Sequence, residues 1–132
     1  MSFQFNGIPS AEVSINGAVT TTFANPTAAQ VKRVTGTINV AMSTIYTVPE
    51  GYTYFLYGIL IPWTPADTFN IYHDDGTTKI AQLKAYATAP YTQPMLMPSC
   101  PIDVFTEGQS VKGTAGGNNG CQCYLYGVLV AN

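Results

Sequence analysis

The chain has 132 residues, enough for one domain with a substantial hydrophobic core. Its charged fraction is only 9%, against roughly 25% in a typical soluble domain, so we expect much of its surface to contact other subunits or a partner. The net charge of −2 and five basic residues argue against nucleic acid or an anionic membrane as the ligand, and no apolar run of about 18 residues could span a bilayer.

The first 36 residues are rich in Ser, Thr, Ala and Asn, with isolated hydrophobic residues and the turn signals Asn16-Gly17 and Asn25-Pro26. This composition predicts an extended N-terminal arm over residues 1–36, with room for one short hairpin, before a β-sandwich domain over residues 37–132. The alternative is that residues 12–23 supply the first strands of the sandwich. Three phenylalanines are the candidates for attaching the arm to another surface: Phe3, Phe5 and Phe23.

Residues 37–48 alternate between apolar and polar side chains, which predicts one half-buried strand followed by a turn at residues 48–52. Residues 53–61 are apolar on both faces, which is typical of a central strand that is covered on both sides. The side chains predicted to share one face of the first strand are Ile38, Val40, Met42 and Tyr46.

The second half of the chain predicts further strands. A hairpin over residues 68–87 would turn at Asp74-Asp75-Gly76, although its second arm, which we predict as a strand, would also suit a short helix. Residues 91–101 contain three prolines and predict an extended or edge segment. Three strands complete the set, the last two joined by a flexible glycine-rich hairpin loop at 116–120: residues 102–106, 109–115 and 121–130.

Residues 56–61 and 125–130 repeat the same residue types position by position. Two neighbouring central strands of one sheet would be selected for this pattern, and their shared glycines, Gly58 and Gly127, would mark a bulge or a close approach. An early strand beside the last strand is typical of a jelly roll or a Greek-key sandwich. We therefore predict an all-β, jelly-roll or Greek-key β-sandwich with an extended N-terminal arm.

No catalytic constellation is visible in the sequence. The single histidine, His73, precedes Asp74 and Asp75, and we interpret the three as an exposed hairpin turn rather than a His–Asp pair or a calcium site. There is no nucleophile elbow and no phosphate-binding glycine motif. We expect a protein that is not an enzyme, with no catalytic, cofactor-binding or metal-binding residues and no cofactor.

The three cysteines are an odd set, and Cys121 and Cys123 would lie on one face of a strand, poorly placed to pair with each other. We interpret Cys100, Cys121 and Cys123 as buried free thiols rather than as a disulfide framework or a metal site. The first ten residues have neither the basic nor the apolar stretch of an export signal, which fits assembly in a cytosol.

Tyrosine is abundant, with nine copies beside the single tryptophan. Tyr and Trp are enriched at interfaces, but β-strands also favour aromatic residues in their cores. For the strand residues Tyr57 and Tyr126, core and subunit interface remain open alternatives. The aromatic interface candidates of the domain are Tyr52, Tyr57, Trp63, Tyr91 and Tyr126.

Two short motifs carry a family resemblance. A strand ending in Thr47-Val48-Pro49-Glu50-Gly51 before an aromatic-rich strand, and a late turn at residues 105–111 before the terminal strand, resemble small β-sandwich proteins of tailed-bacteriophage virions. These are the capsid decoration (cement) proteins and the tip domains of fibres. The resemblance covers residues 37–130 and implies a trimeric, jelly-roll-like domain with an N-terminal arm.

The resemblance implies a virion structural protein that is assembled in the host cytoplasm, as a capsid decoration or minor capsid protein. Its arm and the base of its sandwich would bind and stabilise the capsid surface. The expected partners are further copies of the chain, with a homotrimer favoured, and the major capsid protein or another virion protein. The alternative is a receptor-binding or adhesin tip domain of a fibre or spike.

Overall fold

The structure, a computed structural model, describes residues 9–15, 18–23, 27–62, 64–87, 95–97 and 99–132, the first two segments by their backbone alone. The described residues form β-strands and turns and contain no helix. The strands are β1 (Pro9–Ile15), β2 (Ala18–Phe23), β3 (Val31–Ile38), β4 (Ser43–Thr47), β5 (Tyr52–Leu60), β6 (Asp67–Tyr72), β7 (Lys79–Ala85), β8 (Met95–Leu96), β9 (Asp103–Phe105), β10 (Ser110–Ala115) and β11 (Cys121–Ala131).

Two antiparallel sheets make up the main body. The four-stranded sheet has the order β4-β10-β6-β7, and the five-stranded sheet has the order β3-β11-β5-β8, with β9 also paired to β5. β1 and β2 pair with each other in a separate two-stranded sheet. The predicted all-β class is confirmed, and the two sheets give a β-sandwich-like fold.

One hydrophobic cluster is shared by the two sheets. Alternate residues of each strand point into it, as period-2 side-chain geometry requires. The four-stranded sheet contributes Phe69 and Ile71, and the five-stranded sheet contributes Leu56 and Leu125, all 0% exposed. The turns at the sandwich ends include glycines in the left-handed region, such as Gly51 (φ 84°), where the predicted turn at residues 48–52 lies.

The two repeated segments are neighbours, as predicted. β5 and β11 pair over most of their length in the middle of the five-stranded sheet. The register slips by one residue between Tyr126 and Gly127, which leaves Tyr57 as the extra residue of a bulge between Leu56 and Gly58. The repeat therefore reflects a shared environment.

The predicted single strand over residues 37–48 is wrong, because the chain changes sheets within it. β3 ends at Ile38 in the five-stranded sheet and β4 begins at Ser43 in the four-stranded sheet. Asn39 fixes the crossing: its Oδ1 accepts a hydrogen bond from the Gly120 amide at 2.8 Å and its Nδ2 donates to Ser43 Oγ at 3.2 Å. Val40 and Met42, predicted to face the core, are 44% and 45% exposed on this crossing.

The sheet begins before the predicted domain boundary. β3 starts at Val31 and pairs with β11 along its whole length, so residues 31–36 belong to the five-stranded sheet rather than to an arm. The pairing partner explains why: β11 is long enough to carry β3 on one edge and β5 on the other. The hairpin that the sequence allowed in the preceding residues corresponds to β1 and β2.

Two other predictions have clear outcomes. Residues 79–85 form strand β7 and pair with β6, so the helical alternative for this arm is wrong. The loop at residues 116–120 is not a hairpin, because β10 and β11, which it joins, lie in different sheets. It is also held in place by Asp67, whose carboxylate accepts hydrogen bonds from the Gly117 and Asn118 amides and from Asn118 Nδ2.

Candidate functional site

The outer face of the five-stranded sheet carries an apolar area beside the exposed polar residues Thr35, Thr37 and Gln122. Antiparallel pairing places Val31 opposite Val128, Val128 opposite Phe55, and Phe55 opposite Val104. Directly opposed residues share a face of the sheet, so these four side chains form one row across β3, β11, β5 and β9. Phe55 and Val128 belong to a small hydrophobic cluster that is separate from the core between the sheets.

A groove with a volume of about 360 Å³ lies on this face. Its floor includes Tyr57 and Val128, which are only 7% and 3% exposed, and its rims include Val31 and Leu96, which are 51% and 63% exposed. Arg33 is the one charged residue among the described residues that line it. The groove is therefore an apolar depression with exposed apolar edges and a single cation.

The bulge in β5 shapes the groove. Gly58 lies opposite Leu96, and a Cβ at Gly58 would come within 2.7 Å of Leu96 Cδ2. A Cβ at Gly127 would collide with the Phe55 carbonyl oxygen and lie 2.6 Å from the Tyr54 ring. Gly58 thus allows β8 to approach β5 closely on the side of the groove, whereas Gly127 faces the core and makes room there for the Tyr54 ring.

Tyr57 and Tyr126 both line the groove. The Tyr57 side chain is buried on the outer face, in the cluster with Val128. Burial, and in second place the Cys100 thiol, raise the pKa of its phenol to about 12. The sequence left Tyr57 open between core and interface, and the structure places it in neither the shared core nor full solvent but at the base of a surface depression.

The remaining aromatic candidates are distributed elsewhere. Tyr52 begins β5 at the turn that follows β4 and is 38% exposed, outside the groove lining. Phe23 ends β2, where only the backbone is described. Four candidates lie outside the described residues: Phe3, Phe5, Trp63 and Tyr91.

Sequence reasoning missed the edges of the groove. Val31 was assigned to the arm, and Leu96 and Met97 to a proline-rich edge segment, so no apolar surface was expected there. The sequence signal that indicates the site is that residues 53–61 and 121–130 are apolar on both faces of their strands. A strand with two apolar faces needs to be covered on each side.

The outer face of the four-stranded sheet is polar, which gives the molecule two unlike sides. Thr114 lies opposite Asn70, Asn70 lies opposite Gln82, and Gln82 Nε2 donates to Asn70 Oδ1 at 2.9 Å. Lys84 and Gln82 are exposed on the edge strand β7. This side has the solvated character expected of an outer sheet face, and the five-stranded sheet does not.

His73 begins the predicted turn, where its carbonyl oxygen accepts a hydrogen bond from the Gly76 amide at 2.8 Å, but its side chain is not exposed as the sequence suggested. It is half-buried, its Nδ1 lies 2.6 Å from Asp103 Oδ2, and its ring stacks on Phe105 at a centroid distance of 4.9 Å. His73 follows β6 and Asp103 lies in β9, so the contact links the two sheets. The contact could not be predicted from a local sequence pattern, because the two residues are 30 positions apart.

The two aspartates beside His73 have separate structural roles. Asp74 Oδ1 accepts a hydrogen bond from the Ser110 amide at 2.8 Å, which ties the turn to β10. Asp75 accepts from the amides of Thr77 and Thr78 and from the Thr78 hydroxyl, and the Thr78 bonds come first among the causes that hold the pKa of this exposed carboxyl well below its usual range. Asp75 therefore makes the local turn contacts predicted for this position, whereas the contact of Asp74 is long-range.

The cysteines occupy two environments. Cys121 and Cys123 are buried in the core between the sheets, and burial raises the pKa of the Cys123 thiol to about 12. Cys100 is exposed, so the prediction of a buried thiol is wrong for this residue, which lies in a bend beyond β8 rather than in a strand. Within the described residues, no group of three or more His, Cys, Asp or Glu side chains could hold a metal ion.

In comparisons with known proteins, no family, curated protein or solved structure matches the chain. None of the described segments is a helix long and apolar enough to cross a membrane. The class that the fold and the groove define is therefore an all-β, β-sandwich-like protein with one apolar and one polar outer face.

Proposed function

We propose that the chain is a non-enzymatic structural protein of a bacteriophage virion, acting as a capsid decoration (cement) or minor capsid protein. The observation that carries the proposal is the apolar groove on the outer face of the five-stranded sheet, with Leu96 63% exposed on its rim. A sheet face of this kind is suited to being covered by another protein surface, as in an oligomer assembled on the capsid. The virion assignment itself derives from the resemblance in the turns at residues 47–51 and 105–111.

The proposal includes a finer architecture. We infer a jelly-roll or Greek-key sandwich in which the residues before β3 form an arm that reaches a neighbouring capsid subunit. The strand order supports this topology, because β3, the first strand of the main body, lies beside β11, the last. The charged fraction of 9% supports burial of much of the remaining surface in a homo-oligomer, with a trimer favoured, on the capsid.

Co-sedimentation with purified, expanded capsids tests this function. The full chain should bind, raise the temperature at which the capsids lose their integrity, and compete poorly with whole virus for host cells. A variant lacking residues 1–30 removes the proposed arm but keeps β3, and it should lose most of its capsid affinity. Competition with whole virus for cells, without capsid binding, would instead identify a receptor-binding tip and contradict the proposal.

A further inference from the structure

We propose that the apolar groove is the surface through which two copies of this chain meet, with the outer face of one five-stranded sheet packed on that of a second copy. The contact rests on one part of the proposed function, namely that the protein works as an assembly of several copies. A second copy covers the groove, and other parts of the molecule contact the capsid.

The size of the face fits a second copy. Four strand rows at a spacing of about 4.8 Å, and seven residues of β11 at a rise of about 3.4 Å, give a face of about 450 Å² in projection. Two copies would then cover about 900 Å² before the relief of the side chains is added, and specific interfaces bury about 1,000 Å² or more in total. Side-chain relief brings the buried area to about this limit, so the face is large enough for a contact between two copies; because both copies use the same face, this contact pairs copies and is not the contact of a cyclic trimer.

The charges of the face also fit a second copy. Arg33 lies on the edge strand β3, is exposed, and is the one charged residue among the described residues that line the groove. Self-packing would therefore bury no carboxylate and would leave each guanidinium at the rim, in contact with water. The usual desolvation cost of an interface charge is avoided.

The strand pairing within the sheet determines which residues of the two copies would face each other. Arg33, Tyr126, Gly58 and Leu96 lie in one row across β3, β11, β5 and β8. A two-fold axis parallel to the strands would exchange the two ends of this row, so that Arg33 of one copy meets Leu96 of the other. The methylene groups of an arginine side chain can pack on a leucine while its head stays in water.

Sedimentation velocity of the full chain, with variants at the exposed rim, tests the inference. The wild-type protein should sediment as an oligomer at about 100 µM, and Leu96→Glu should raise the dissociation constant at least about tenfold, because it places an unpaired carboxylate in an apolar contact. Val31→Glu tests the opposite rim in the same way. Gln82→Glu is the matched control, since it adds the same charge to the polar face of the other sheet and should leave the oligomer intact.

Each outcome decides the inference. A wild-type chain that remains a monomer at that concentration, or an oligomer that persists in both Leu96→Glu and Val31→Glu, would overturn it. Thermal unfolding of the variants checks that the chain still folds, and both rim residues are more than half exposed, so little cost is expected. Capsid co-sedimentation, measured separately on wild type and Leu96→Glu, shows whether the proposed capsid function fails, independently of the self-contact.

Discussion

At the scale of single residues, the three thiols differ in what surrounds them. Cys100 is exposed, whereas Cys121 and Cys123 are buried and face the core between the sheets. Burial favours the neutral thiol of Cys123, which is the unreactive form towards alkylating reagents.

We predict that one thiol of the native protein reacts rapidly with a maleimide or an aromatic disulfide, and that this thiol is Cys100. Cys121 and Cys123 should react only after denaturation, because opening the core is required. Mass spectrometry of peptides from the labelled native protein measures this directly. Cys100→Ser is the control and should abolish native labelling; rapid labelling of Cys123 would show that the core is not closed as described.

Asp67 is the residue that holds the loop at 116–120. Burial by itself would raise the pKa of its carboxyl, but hydrogen bonds from the Asn118 side chain and from the amides of Gly117, Thr68 and Asn118 more than offset it, so the pKa is lowered. A lowered pKa in the folded state means that this carboxylate stabilises the fold above its unfolded pKa, and that the contribution is lost as the pH falls through the folded value.

Asp67→Asn should therefore lower the free energy of unfolding by about 1–2 kcal/mol at neutral pH, since it weakens several charge-assisted hydrogen bonds at a partly exposed site. The loss should begin to shrink as the pH falls below about 4, where Asp67 of the unfolded chain takes up a proton, and should disappear only below the lower pKa of the folded state. Urea unfolding at pH 7 and at pH 3 measures both effects. An equal loss at the two pH values would show that the charge of Asp67 is not what holds the loop.

At the scale of strands, β11 approaches β5 closely at Gly127, beside the bulge in β5. Gly127 has no room for a Cβ because the Phe55 carbonyl oxygen and the Tyr54 ring occupy the space. Gly117, in the loop after β10, has no atom within 4 Å of a Cβ and no positive φ.

Gly127→Ala should thus destabilise the protein by about 1–3 kcal/mol, the usual cost of overpacking a core. Gly117→Ala should change stability by about 0.5 kcal/mol or less in either direction. Thermal unfolding of the two variants side by side measures the difference. Equal melting temperatures would contradict the close approach of β5 and β11.

The pairing of β5 with β11 could be predicted from the sequence because both strands carry the same residues for the same physical reason. The crossing between β3 and β4 could not, since Val40 and Met42 continue the period-2 pattern of Ile38 while the chain leaves the sheet. An alternation of apolar and polar side chains predicts a strand, but it does not indicate which sheet the strand joins. Asn39 turns the chain by donating a hydrogen bond to Ser43 Oγ and accepting one from the Gly120 amide, which is 81 residues away.

The site was predictable only in part, for a similar reason. Tyr57 and Tyr126 were singled out as aromatic strand residues, and both line the groove. The rims come from Val31 and Leu96, which lie far from each other and from the tyrosines in sequence. Their convergence depends on β3 and β8 flanking β11 and β5, which no local pattern specifies.

At the scale of the whole molecule, the two outer faces differ in kind. One carries Asn70, Gln82 and Lys84 in contact with water, and the other carries the groove with Tyr57 and Val128 at its base. A sandwich of two layers needs only one apolar face per sheet, so we infer that the second apolar area of the five-stranded sheet is covered by a further layer. We propose that a second copy supplies it.

The most direct measurement is oxidative footprinting of two methionines in the assembled protein. Met97 lies at the groove and is 40% exposed, while Met42 lies on the crossing between β3 and β4 and is 45% exposed, so the two start from similar accessibility. If the groove is the contact between copies, oxidation of Met97 should slow severalfold from dilute to concentrated protein while oxidation of Met42 stays constant. Equal rates for Met97 and Met42 at all concentrations would contradict the account.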